Sequence, residues 1–204
     1  MKHRKQEQSQ DTLQDTLTVA RAGKARALFL DRDGVVNEEI GYLSRPEQVR
    51  FMPGVFDLCR KAQALGYRLI VVTNQAGIAR GFYTEEDFHA LMRWMTAEFA
   101  REGARLDRVY FCPHHPEHGV GAYRKECPDR KPNPGMLRRA AKDFSLDLAQ
   151  SILIGDRCSD IAAGEAAGIG TLLLLDGIEA EPCMHAERYH RIVSLQEALE
   201  RLVP

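Results

Sequence analysis

The chain has almost no surplus charge of either sign. Its 204 residues carry 28 Lys and Arg against 29 Asp and Glu, a formal net charge of −1. That balance gives no electrostatic footprint for a nucleic acid or an anionic membrane. Long apolar runs are missing too, since no purely aliphatic run is longer than Leu172–Leu175, far short of a bilayer span. The opening Met-Lys-His-Arg-Lys leads into Gln, Asp and Ser with no apolar stretch, unlike a secretory signal. Cysteine is sparse: Cys59, Cys112, Cys127, Cys158 and Cys183 are odd in number and widely spread. The expectation is free thiols in a reducing cytoplasm, with a metal site among them, rather than a disulfide framework. Aromatics make up 7%, and Trp94 and the methionines at helical spacing read as core. With 44% hydrophobic residues, the remainder describes one ordinary globular domain.

Residues 1–25, rich in Gln, Lys, Asp and Thr with Leu13 and Leu17 the only hint of a helical face, are expected to be a loosely attached extension to a domain over 26–204. Short continuous apolar runs follow at Ala25–Leu30, Tyr67–Thr73, Leu106–Phe111, Ser151–Gly155 and Thr171–Leu175, each the mark of a strand buried on both faces. Helical spacing separates them: Val55–Leu65, then a stretch opened by Thr84 with Asp87 three residues on, in the manner of a capping box. A third helix is expected to start at Pro134 behind an Asn133 cap, an Ala-rich one to end at Gly168, and a last one to cover about Leu195–Leu202. Strands alternating with helices predict an α/β fold, a Rossmann-like parallel sheet with helices on both faces. In such sheets ligands bind at the carboxyl ends of the strands.

Polar residues of a particular kind stand at those ends. Asp31-Arg32-Asp33 follows the first strand, and carboxylates at i and i+2 on an extended segment project to one side. Their repulsion is relieved by a divalent cation. Thr73-Asn74-Gln75 follows the second strand, Arg130-Lys131 precedes the third helix, and Gly155-Asp156 with Asp160 follows the fourth strand. Oxygen ligands in this number suit Mg²⁺, and the adjacent cations and hydroxyl donors suit a phosphate. Taken singly each has an ordinary explanation as a cap, a turn or a solvated charge; their order along consecutive strands does not.

DRDGVVN, VVTNQ, RKPNPG and IGDRCSD resemble the motifs of the haloacid dehalogenase-like phosphatases, and within them the D-glycero-D-manno-heptose 1,7-bisphosphate 7-phosphatase branch. The resemblance covers roughly residues 26–176. It implies a phosphatase with no large cap domain, acting as a monomer on a small phosphorylated sugar in heptose supply for lipopolysaccharide or another surface polysaccharide. It implies Asp31 as nucleophile, Asp33 as general acid and base, and Thr73 and Lys131 as holders of the phosphoryl group. Mg²⁺ would be held by Asp31, Asp33 (through its main-chain carbonyl) and Asp156, with Asp160 orienting. Glu39, Ile40, Gly41, Tyr42, Asn74, Gln75 and Arg130 match substrate-contacting positions, Arg130 being suited to a second phosphate. Relatives bind a structural zinc with Cys-x-His and Cys-x-Cys; here Cys112, His114 and Cys127 match and Asp129 replaces the last cysteine. Zinc accepts a carboxylate oxygen, and His115 and His118 stand near as other donors. Histidinol phosphate is the alternative substrate, disfavoured because no dehydratase is fused on and the cysteine loop is long. A non-catalytic scaffold would be marked by loss of Asp31 or Asp33, and both are present.

Overall fold

A computed structural model of the chain describes residues 24–176, 183 and 188–203. The extension expected over residues 1–25, with Leu13 and Leu17, lies outside the described residues up to residue 23. Six strands, β1 (Arg26–Leu30), β2 (Tyr67–Asn74), β3 (Arg108–Cys112), β4 (Ile152–Gly155), β5 (Thr171–Leu175) and β6 (His190–Ile192), form one sheet in the order β3-β2-β1-β4-β5-β6. Every pairing is parallel. β1 is therefore flanked by β2 and β4, and the strand order turns there, which is where a doubly wound sheet opens its ligand crevice.

The continuous apolar runs are explained by two cores. Leu28, Leu30, Leu69, Val71, Ile152 and Ile154 face one side, while Ala27, Phe29, Ile70, Val72 and Leu153 face the other. Helices α1 (Val55–Ala64), α3 (Glu85–Arg101) and α6 (Leu195–Glu200) cover the first side; α4 (Gly135–Phe144) and α5 (Cys158–Ala167) cover the second. A single turn, α2 (Ala76–Ala79), follows β2. The α3 capping box forms as expected: Asp87 N–H donates to Thr84 Oγ1 at 3.1 Å and Thr84 N–H to Asp87 Oδ2 at 2.9 Å.

Four expectations change. β3 begins at Arg108 rather than Leu106, because Asp107 turns its carboxylate back to accept from Leu69 N–H at 2.9 Å. Asn133 does not cap α4; its Nδ2 donates to Cys127 O at 3.0 Å, and the helix begins at Gly135 after Pro134. β6 carries no apolar run, with two of its three residues exposed, so its composition gave no strand signal. The cysteines are not all free: Cys158, at the start of α5, is bridged to Cys183, with Cα atoms 5.2 Å apart. The fold brings together two cysteines 25 residues apart in sequence, whereas Cys59, Cys112 and Cys127 are free thiols. Among the described residues no helix is long and apolar enough to cross a membrane.

Candidate active site

The ends of β1, β2 and β4 converge on one buried constellation. Asp31 keeps the sheet register, its N–H donating to Ile154 O at 3.0 Å, and so its carboxylate emerges where β1 and β4 meet. Lys131 is buried with it, its Nζ 2.9 Å from Asp31 Oδ1, paired also with Asp160, and donating to Val72 O at 2.8 Å. The lysine is placed by Asn74, whose amide closes a two-way bond on the Lys131 backbone: Oδ1 accepts from N–H and Nδ2 donates to O, both at 3.0 Å.

Three buried acids, Asp31, Asp156 and Asp160, bring one carboxylate oxygen each to within 4.8 Å of one another. Burial, reinforced by Asp160 and Asp33 and opposed by Lys131, pushes the Asp31 carboxyl up to about 7. Burial, then Asp31 and Asp160, pushes Asp156 up to about 8. Neither Asp156 oxygen has a hydrogen-bond partner among the described residues. A buried carboxylate without a donor is costly, and hard oxygen donors crowded this closely fit a divalent cation. Gly34 is required beside them: its φ is +86°, and a Cβ there would lie 2.1 Å from Asp156 Oδ2.

Asp33 is held differently. Arg32 forks onto it through Nε at 3.0 Å and Nη2 at 2.8 Å. Asn37 Nδ2 donates to its Oδ1 and Gln75 Nε2 to its Oδ2, each at 3.1 Å. Gln75 also donates to Thr73 Oγ1 at 2.8 Å, and its Oε1 accepts from the Tyr83 hydroxyl at 2.5 Å. Thr73, Gln75 and Asp33 are thus one network. Arg32 had no role in the sequence because a residue between two acids on an extended segment points the other way; it is fully buried, over the Phe88 ring.

Above these groups opens a cleft of about 580 Å³, lined by Asp31, Asp33, Thr73, Asn74, Gln75 and Lys131 at its base, a size suited to a small metabolite. Glu39, Gly41, Tyr42 and Arg130 also line it. Ile40 is not part of the lining; its side chain is exposed. Glu39 is already engaged, accepting from Gly41 N–H at 2.6 Å and pairing with Arg157 at 2.9 Å. Arg130 Nη1 donates to His114 O at 3.1 Å. Arg80 and His115 also line the cleft. Neither is legible in the sequence, since Arg80 follows a one-turn helix without periodicity and His115 reads there only as a metal donor.

A family model described as HAD-hydrolase-like matches residues 129–198. A Burkholderia mallei protein named D-glycero-alpha-D-manno-heptose-1,7-bisphosphate 7-phosphatase is 59% identical over 74% of this chain and 80% of its own length. A Vibrio cholerae protein named for the beta anomer is 48% identical over 73% of this chain and 80% of its own length. Among solved structures, the D,D-heptose 1,7-bisphosphate phosphatase of B. bronchiseptica complexed with magnesium and phosphate superposes with a TM-score of 0.73 at 28% identity, covering 86% of this chain and 97% of the other. The chain belongs to the heptose bisphosphate phosphatase family of HAD-like hydrolases.

The loop that family resemblance singled out for zinc lies beside the cleft. Cys112 ends β3, and its Sγ is 3.8 Å from His114 Nδ1; the donor atoms of Cys112, His114 and Cys127 all lie within 4.8 Å of one another. Those separations suit ligands converging on one tetrahedral ion. Burial, with Cys127 adding, pushes the Cys112 thiol up to about 12, so without a metal the thiol stays protonated. Asp129, expected as the fourth ligand, lies outside this group: its Oδ2 is paired with Arg139 at 2.8 Å. His115 lies outside as well, its Nδ1 accepting from the N–H groups of Glu117 at 3.2 Å and His118 at 3.0 Å.

Proposed function

We propose that this chain is a Mg²⁺-dependent phosphatase removing the 7-phosphate of D-glycero-D-manno-heptose 1,7-bisphosphate, in heptose supply for lipopolysaccharide or another surface polysaccharide. The observation that carries this is the cluster of Asp31, Asp156 and Asp160 around Lys131 at the β1–β4 junction, in a chain of this family. Mg²⁺ would be held by Asp31, Asp156 and the main-chain carbonyl of Asp33, and when bound it neutralises phosphate charge that otherwise repels an attacking carboxylate.

Asp31 attacks phosphorus through a carboxylate oxygen; the P–O bond to the sugar breaks and an aspartyl-phosphate forms. Asp33 gives its proton to the departing alkoxide. The same Asp33 then takes a proton from water, which attacks phosphorus and releases phosphate and the free Asp31 carboxylate. Lys131 and Thr73 hold the phosphoryl oxygens, and Asn74 keeps Lys131 in place. Glu39, Ile40, Gly41, Tyr42 and Gln75 meet the sugar, Ile40 only through its backbone given its outward side chain, and Arg130 meets the second phosphate with a planar fork.

A structural zinc on Cys112, His114 and Cys127 accompanies this reading, supported by their convergence; Asp129 completes the site only by releasing Arg139. The zinc would brace the loop that leads to Arg130-Lys131. Also part of the proposal are a monomer in the cytoplasm and the absence of nucleic-acid and membrane partners, the last supported by the near-zero net charge.

The test is phosphate release from both anomers of heptose 1,7-bisphosphate, from histidinol phosphate and from fructose 1,6-bisphosphate. A heptose bisphosphate is expected to give the highest kcat/KM. A higher value on histidinol phosphate would transfer the enzyme to that substrate.

A further inference from the structure

Among the described residues, charge pairing across the cleft leaves two guanidinium groups without an ion pair. Arg32 is forked on Asp33, Lys131 is paired with Asp31 and Asp160, and Arg157 with Glu39. The Arg130 side chain donates only to the His114 carbonyl among the described residues. Arg80 is exposed at the cleft and makes no ion pair or side-chain hydrogen bond among the described residues. The two come from separate parts of the chain, Arg80 from the end of α2 and Arg130 from the loop before α4, yet they share one cavity. Like charges facing the same solvent pocket repel unless an anion bridges them.

The placement of Arg80 is built into the fold. α2 is pressed against Tyr83, so closely that a Cβ on Gly77 would meet the Tyr83 ring at 2.3 Å. Tyr83 is in turn tied through Gln75 to Thr73 and Asp33. The arginine that ends this turn is therefore registered to the reacting groups, not free on a mobile loop.

We propose that Arg80 and Arg130 together seat the substrate phosphate that is not hydrolysed, making Arg80 a specificity-determining residue. This rests on the bisphosphate reading above. Two guanidinium groups lining one cavity match the charge of a phosphate dianion and would fix the distance between the retained and the reacting phosphate.

The experiment compares kcat and KM on heptose 1,7-bisphosphate and on heptose 7-phosphate for the wild-type protein, Arg80→Gln and Arg80→Lys. Arg80→Gln is expected to lower kcat/KM on the bisphosphate about tenfold or more, mainly through KM, with a several-fold smaller loss on the monophosphate. Arg80→Lys should recover part of the bisphosphate loss, because charge is kept while the fork is lost. Equal losses on the two substrates, or none on either, would overturn the role of Arg80 while leaving the heptose reading intact. A wild-type protein without activity on the bisphosphate would remove the reading and the inference with it.

Discussion

Asp31 and Asp156 retain protons where ordinary aspartates have lost them, at about 7 and about 8 against an ordinary 3.8. Between those limits the folded chain binds more protons than the unfolded one, so without a metal its stability falls as pH rises from about 4 to about 8. A divalent cation binds the ionised carboxylates and favours the folded state. Mg²⁺ is accordingly expected to raise Tm more near pH 8 than near pH 5, in thermal melts with Mg²⁺ against a chelator; an equal rise at both would contradict the burial argument. Gly34→Ala should weaken that Mg²⁺-dependent rise, since its Cβ would intrude on Asp156. Asp31→Asn is expected to lower kcat by roughly a thousandfold or more, while Asp33→Asn allows slow phosphorylation of Asp31 and little turnover. Phosphate release, with mass spectrometry for the phosphorylated protein, separates the two. The acids were legible because each ends a continuous apolar run, where a charge needs a reason to be. Asn74 was legible as a polar residue but not as the clamp on Lys131, because its partner lies 57 residues away.

At the scale of elements, the strands and most helices were legible because burial on both sheet faces removes the polar alternation that would blur them. What escaped has a physical cause in each case. β6 is an edge strand with little apolar content, α2 is too short for periodicity, and the Cys158–Cys183 bridge joins positions 25 residues apart that no local pattern relates. The segment from Cys112 to Asp129 divides the same way: the three donors that match the family's pattern converge, and the fourth does not because Arg139 on α4 competes for Asp129. Cys127→Ser is therefore expected to abolish zinc retention, and Asp129→Ala to reduce it only slightly, by metal analysis of protein purified without chelators. Under about a tenth of an equivalent of zinc in an active wild-type preparation would rule out the metal. In α3, Thr84→Ala should cost about 1 kcal/mol in urea unfolding, since it removes the cap for the Asp87 N–H.

The whole molecule is expected to sediment as a single species of 23.0 kDa, and a mass twice that in sedimentation equilibrium would refute the monomer. β1 is the first strand of the described residues and lies inside the sheet, with β4 as its neighbour on one side; Ala27 N–H donates to Ser151 Oγ across 124 residues of chain. On the ribosome, β1 can pair with β2 early, but its other edge stays open until β4 has been synthesised. A nascent chain therefore presents an apolar, unpaired strand edge for most of its translation, the kind of surface that chaperones shield. The carboxylates that crowd one another in the finished protein are not yet neighbours in that interval, because Asp156 follows β4. Hydrolysis thus begins only after the most distant strand pairing has closed, and a half-made chain cannot consume the cell's phosphate esters.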